Sequence, residues 1–157
     1  MESATKSVAP CRPPIADWLL GRWQLNRVIH DLREGRVGIV TGTLEVTTVG
    51  PCDDVLSVEE RGEMVLGGRR FPISRRVLWR VTGAAAFDVR FGDGRPFHAL
   101  RFEDGVATAR HDCGADRYDV VYRLGSVAWF SLWRVAGPAK DQWILTQHSR
   151  DGAGPPR

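Results

Sequence analysis

Lysine, cysteine and long apolar runs are all scarce in this sequence. Only Lys6 and Lys140 are lysines, so arginine carries nearly all of the positive charge. Acidic and basic residues are interspersed, the formal net charge is only +3, and no basic tract is present, which argues against a nucleic-acid partner. No apolar run approaches the roughly 18 residues that a membrane-spanning helix needs. We therefore expect neither nucleic acid nor membrane as a partner.

The three cysteines, Cys11, Cys52 and Cys113, form an odd and scattered set. The N-terminal segment also lacks the apolar core of a signal peptide. Both observations favour a reduced, cytoplasmic protein without a disulfide framework.

Common catalytic and cofactor motifs are missing as well. The sequence contains no G-x-S-x-G, no P-loop and no G-x-G-x-x-G that opens a helix. The turn at 92–94 has no helix behind it that would bind phosphate. We expect no cofactor.

Alternating apolar and polar residues run through most of the chain, which is the pattern of half-buried strands. Turn sequences such as Gly50-Pro51, Gly67-Gly68 and Asp104-Gly105 separate the alternating segments. The predicted strands cover residues 23–30, 37–49, 55–66, 69–81, 87–91, 96–103, 106–113, 117–124, 127–135 and 143–150.

Nine or ten strands with such short connections must pair antiparallel, because parallel pairs need long crossovers. The sequence therefore predicts an all-β protein, a single antiparallel up-and-down β-barrel, with a two-sheet sandwich as the alternative. A short helical turn is predicted at 15–20. Residues 1–14 are predicted to be a disordered lead, 15–150 the barrel and 151–157 a flexible tail. We expect a monomer or a homodimer.

Two groups of motifs carry a resemblance to known families. Gly21-Arg22-Trp23 resembles the Gly-x-Trp opening of lipocalin-type (calycin) barrels, and Arg150 stands where lipocalins often place an arginine that packs over that tryptophan. The motifs D-G-R-x-F-H at 93–98, H-x-C-x-x-D-x-Y at 111–118 and W-x-V-x-G-P-x-K-D at 133–141 resemble a bacterial family of unknown function with a lipocalin-like barrel. This resemblance implies a barrel and a shared pocket, but no established reaction.

Strand alternation predicts which side chains face the barrel interior. His98 shares its side with Leu100 and Phe102, and Phe97 takes the other side. His111 shares its side with small alanines, which leave space for a ligand. The residues predicted to line this interior are His98, His111, Tyr118, Tyr122, Arg27, Arg75, Trp79, Trp133 and Trp143.

An arginine inside a barrel needs a compensating charge. For Arg27 and Arg75 the alternatives are Glu60, which falls on an inward face, and a ligand carboxylate or enolate held by the guanidinium.

These residues predict a barrel that binds a small, largely apolar molecule with one anionic or carbonyl end. An enzyme without a cofactor is favoured, an isomerase, cyclase or dehydratase acting on a polyketide-like or terpenoid metabolite. In that hypothesis His98 or His111 moves the proton and Tyr118 stabilises the oxyanion. Arg27 or Arg75 holds an acidic group, and the tryptophans enforce the substrate's conformation.

Two alternatives remain open. The first is a carrier or sensor that uses the same cavity without catalysis. The second is a metal or heme site at His98, His111 and Cys113, with Asp116 as a further metal ligand. A single H-x-C is a weak metal signal, and a small buried apolar role is the simpler interpretation of Cys113.

Overall fold

The computed structural model describes residues 12–150, which form one short helix and ten strands. The helix is α1 (Pro14–Leu19). The strands are β1 (Gly21–Asp31), β2 (Arg36–Val49), β3 (Val55–Leu66), β4 (Arg69–Gly83), β5 (Ala86–Phe91), β6 (Pro96–Arg101), β7 (Val106–Cys113), β8 (Asp116–Leu124), β9 (Ala128–Ala136) and β10 (Asp141–Arg150). Every predicted strand is present, with small shifts at the ends.

All ten strands belong to one antiparallel sheet in the order β6-β5-β4-β3-β2-β1-β10-β9-β8-β7. Consecutive strands are neighbours, and β1 pairs with β10. Strands β6 and β7 are the two ends of this order, and in the connection between them Glu103 and Val106 form one isolated bridge with backbone hydrogen bonds of 2.9 and 3.0 Å. The all-β prediction is confirmed, and the sheet is a nearly closed barrel rather than a sandwich.

The predicted lead and tail lie largely outside the described residues. Of the lead, residues 12–14 are described: Arg12 forms an ion pair of 2.9 Å with Asp17, and Pro14 is the first residue of α1. Proline suits this position because it has no N–H group that would need a helical acceptor. Within the described part of the chain, no helix is long and apolar enough to cross a membrane.

The helix α1 closes one end of the barrel. Ala16 and Leu19 are buried against Trp23, whose indole N–H donates to the Leu19 carbonyl at 2.9 Å. The Arg150 guanidinium lies 3.7 Å from the centroid of the Trp23 ring and donates to the Leu20 carbonyl at 2.8 Å. The first and last strands are therefore joined to the helix at this end of the barrel.

The backbones of β2 and β3 approach each other closely at one pair of glycines. Gly42 and Gly62 are cross-strand partners, and a Cβ atom on Gly42 would lie 2.7 Å from the Cα of Gly62. Only glycine allows this contact without a shift of the backbone.

A β-bulge changes the facing of one predicted residue. Val89 pairs with His98 but Arg90 pairs with Pro96, so Phe97 is the extra residue on β6. The prediction that Phe97 points away from the interior was wrong, because the bulge turns its ring inward beside His98, 4.5 Å away between ring centroids.

Candidate functional site

Two arginines and one carboxylate form an ion network inside the barrel. The Arg27 guanidinium donates to both carboxylate oxygens of Glu60, at 2.6 and 3.1 Å, and its Nε donates to the Thr146 hydroxyl at 2.8 Å. Arg75 donates to Glu60 at 3.2 Å. Strand register explains this geometry, since Arg27 lies opposite Thr146 and Glu60 lies opposite Arg75.

The network carries an excess of one positive charge, because two guanidinium groups share one carboxylate. The side chains of Arg27 and Glu60 are 14% and 6% exposed, and that of Arg75 is 49% exposed. Burial raises the pKa of the Glu60 carboxyl, but Arg75 and Arg27 more than offset it, so the pKa lies below its ordinary value. Glu60 is therefore ionised at neutral pH, and Arg75 is the more accessible cation.

A histidine and a tyrosine form a second polar pair near this network. The Tyr122 hydroxyl lies 3.3 Å from Nε2 of His98, and both side chains are buried. Within residues 12–150, Nδ1 of His98 has no hydrogen-bond partner. The pair therefore has one ring nitrogen that no described residue satisfies.

Both members of this pair are held in their neutral forms. Burial, together with the charges of His111 and Arg75, lowers the pKa of His98 to about 4. Burial also raises the pKa of Tyr122 above its ordinary value. At neutral pH the site therefore offers an uncharged imidazole and an uncharged phenol.

Aromatic rings and a second buried histidine form the floor beneath the two polar pairs. His148 stacks on Trp129 with 3.7 Å between ring centroids, and Trp79 meets Trp129 and Tyr122 edge-on at 6.0 and 5.6 Å. Burial lowers the pKa of His148 to about 3, against the opposing effect of Glu60. This histidine is neutral under ordinary conditions.

Two adjoining cavities open onto these residues. The upper cavity has a volume of about 130 Å³ and the lower one about 30 Å³. Four residues line both cavities: Arg27, Arg75, Phe97 and Trp133. The upper cavity is otherwise mostly apolar, with Ile29, Val135, Ile144, Tyr118 and Thr146 in its wall. The lower one has room for about one water molecule.

Two further predicted residues, His111 and Tyr118, lie nearer the open end of the barrel. His111 is partly buried and contacts the rings of Phe97 and Tyr118, at 5.0 and 6.0 Å between centroids. The Lys140 ammonium donates to the Tyr118 hydroxyl at 2.8 Å, which raises the pKa of Lys140. His98 and Tyr118 are therefore not paired with each other; Tyr122 is the partner of His98.

One predicted cavity residue lies elsewhere. Trp143 is on the outer face of β10, 42% exposed, with the Arg134 guanidinium 5.2 Å from its ring centroid. The alternation places Ile144 and Thr146 inside, and so Trp143 must point out. We do not retain Trp143 among the cavity residues.

The proposed metal ligands do not assemble. Cys113 is exposed at the end of β7, so the interpretation as a buried apolar residue was wrong. Among residues 12–150, no three histidine, cysteine or acidic side chains come close enough together to hold a metal ion.

Sequence reasoning overlooked His148 as a site residue, and it gave Thr146 and Trp129 no definite place in the site. Strand alternation predicts the positions of His148 and Thr146, since both share the inward side of β10 with Ile144. No such signal exists for the stacking on Trp129, because it depends on the pairing of His148 with Trp129 across β9 and β10.

Comparison with known proteins gives a family but no activity. No curated protein matches the chain. Residues 19–150, which include every strand and all of the site residues above, match the sequence model described as "Family of unknown function (DUF6314)". The chain therefore belongs to the DUF6314 family of unknown function.

Proposed function

We propose that the barrel binds a compact anionic molecule in the upper cavity, with the anionic group at Arg75 and Arg27. The observation that carries this proposal is the excess guanidinium charge at the cavity wall. Among the described residues Arg75 has one hydrogen-bond partner, Glu60, and so most of its donors remain available to a ligand carboxylate or enolate. The apolar wall of the upper cavity suits an unsaturated or aliphatic remainder of the ligand.

The cavity volume favours a small ligand over a polyketide or a terpenoid. Pockets for drug-sized molecules measure about 300–1,000 Å³, and an apolar cavity of about 150 Å³ accommodates benzene. A cavity of about 130 Å³ is slightly smaller, so it fits an apolar body no larger than one benzene ring, and the carboxylate of a ligand such as benzoate must lie at its wall beside Arg75. The stacking of Arg150 over Trp23 supports a lipocalin-like barrel, a class whose members enclose one small ligand.

Benzoate, cinnamate and hexanoate, each beside its neutral amide, test this proposal by isothermal titration calorimetry. We expect the wild-type protein to prefer the carboxylates, and Arg75→Met to weaken their binding by about tenfold to a hundredfold, because a charge-assisted hydrogen bond is lost. Arg76→Met is the matched control, since Arg76 is the next residue, equally exposed, and bonds outward to Ser57 at 2.9 Å. Equal binding of acids and amides, or no effect of Arg75→Met, would contradict the proposal.

Proton transfer is a second candidate function, and the neutral His98–Tyr122 pair favours it. When His98 carries its proton on Nε2, the lone pair on Nδ1 is a base, and the Tyr122 phenol, 3.3 Å from Nε2, is a neutral acid beside it. Arg75 borders both cavities, whereas His98 borders only the lower one, so an α-keto acid with its carboxylate at Arg75 would have to place its methyl group in the lower cavity. There it would lose a C–H proton to His98, and the enolate so formed would regain a proton from the His98 imidazolium. This chemistry is that of an isomerase or a dehydratase without a cofactor.

Exchange of the methyl hydrogens of pyruvate in D₂O, followed by proton NMR, tests this candidate. We expect the wild-type protein to accelerate exchange over buffer and His98→Gln to abolish the acceleration while benzoate affinity stays within about twofold. His111→Gln is the control, because His111 lies nearer the open end. A wild-type rate equal to that of buffer would reject the candidate, and an equal loss in His111→Gln would reject the role of His98.

A further inference from the structure

The middle of the outer face of β2, β1 and β10 carries no formally charged side chain over twelve positions; Arg22 and Glu45 lie beyond it at one end and Asp141 at the other. We name this surface the neutral face. Its members are Gln24, Asn26, Val28, His30, Val37, Ile39, Thr41, Thr43, Trp143, Leu145, Gln147 and Ser149. In a chain of which 26% of the residues are charged, this run of uncharged side chains sets the neutral face apart from the other outer surfaces.

The opposite wall has the ordinary surface of a soluble sheet. Across β3, β4 and β5 the outward residues form cross-strand ion pairs, such as Arg76 with Glu59 at 3.8 Å and Arg80 with Asp88 at 3.3 Å. Since the two walls belong to one continuous sheet, the difference lies in the choice of outward side chains and not in the fold.

An apolar band crosses the neutral face in strict register. Ile39 pairs with Val28, Val28 pairs with Leu145, and Leu145 pairs with Leu132 on the neighbouring strand β9. These four side chains are between 37% and 48% exposed. Val37 and Trp143, which are 49% and 42% exposed, extend the band toward the open end of the barrel. A contiguous exposed band of this kind marks an interaction surface rather than scattered surface residues.

We propose that the neutral face is the interface of a homodimer, with β1 at its centre. Two copies that met through the β3–β5 wall would bury exposed ion pairs, and copies that met through β7 and β8 would bury the pairs of Asp119 with Arg110 and Arg117. Each copy also has a net charge of +3. The neutral face can meet its own copy without like-charge repulsion, and a two-fold axis through β1 brings the apolar bands together. The interface leaves the interior site of each barrel accessible.

Light scattering coupled to size-exclusion chromatography tests the dimer on the full chain. We expect a mass near twice the 17.5 kDa of the chain, and for Leu145→Arg a return to the mass of one chain at the same concentration. Val127→Arg is the matched control, because Val127 is 60% exposed but lies in the β8–β9 turn outside the neutral face, and this variant should stay dimeric.

Two further variants distinguish loss of the dimer from loss of the folded barrel. Asn26→Asp and Gln147→Glu change only the charge of side chains that already lie at the barrel surface, so the barrel should remain intact. We expect either change to weaken the dimer at least tenfold in low salt and less in high salt, because like charges meet across the two-fold axis. A monomeric wild-type protein, a dimeric Leu145→Arg variant, or flotation of the wild-type monomer with neutral phosphatidylcholine vesicles would overturn the proposal.

Discussion

Glu60→Gln is expected to destabilise the barrel by about 3–5 kcal/mol, because removing one partner of a buried ion pair leaves the other charge uncompensated. The substitution keeps the shape of the side chain but removes its charge. The Arg27 guanidinium, only 14% exposed, then has no carboxylate partner among residues 12–150, and Thr146 supplies only a hydroxyl. Urea unfolding at pH 7, followed by intrinsic tryptophan fluorescence, measures the change in the free energy of unfolding.

Glu59→Gln is the matched control for this prediction. Glu59 is the preceding residue, its side chain is 42% exposed, and it lies 3.8 Å from Arg76 on the outer wall. Exposed ion pairs of this kind contribute about 0–1 kcal/mol, so the control should remain close to wild type. If the two variants lose stability equally, the interior network does not stabilise the fold in the way described.

Removing both charges gives a further check on the same argument. Arg27→Met combined with Glu60→Gln eliminates the buried cation, and buried pairs are often replaced by apolar residues at little cost. We expect the double variant to recover a large part of the stability lost in Glu60→Gln. The recovered part measures the penalty for the isolated charge.

The fold follows from local patterns, which is why it could be predicted closely. Alternation along each strand and the turn sequences between strands are encoded within about ten residues, and the short connections leave antiparallel pairing as the only arrangement. The same alternation correctly places Arg27, Glu60 and Arg75 on inward faces. Their meeting inside the barrel was one of two alternatives, the other being compensation by a ligand.

The parts of the site that were missed depend on geometry across strands. Phe97 faces inward because of a bulge opposite Val89 and Arg90, and the alternation of one strand does not reveal that the strand contains an extra residue. The pairing of His98 with Tyr122, rather than with Tyr118, depends on the height of each residue in the barrel. That height is set by the stagger of ten strands, which no single strand encodes.

Acidification below pH 6.5 is expected to destabilise the protein progressively. An unfolded histidine has a pKa near 6.5, whereas the pKa values of His98 and His148 in the folded barrel are about 4 and about 3. As the pH falls below 6.5, the unfolded chain therefore binds protons that the folded chain does not. Stability is retained in full above pH 6.5 and decreases progressively toward pH 3.

The size of this effect follows from the same pKa values. Each pH unit of pKa difference is worth about 1.4 kcal/mol. Protonation in the unfolded chain therefore lowers the free energy of unfolding by up to about 3 kcal/mol for His98 and up to about 5 kcal/mol for His148. Together these costs are comparable to the whole stability of an ordinary domain, about 5–15 kcal/mol. The lowered pKa of Glu60 acts in the same direction, but only below its ordinary value near 4.5.

His148→Phe separates the contribution of the deeper histidine. Phenylalanine preserves a ring against Trp129 but binds no proton. Between pH 5.5 and pH 5, where the unfolded histidines are almost fully protonated, the loss of unfolding free energy should therefore fall from about 2.5 to about 1.2 kcal/mol for each pH unit. The wild-type protein at the same protein concentration is the reference for this slope. Urea unfolding at half-unit steps of pH measures each slope. An unchanged slope in His148→Phe would show that His148 takes up its proton without unfolding, and that the barrel floor is more open to water than its packing implies.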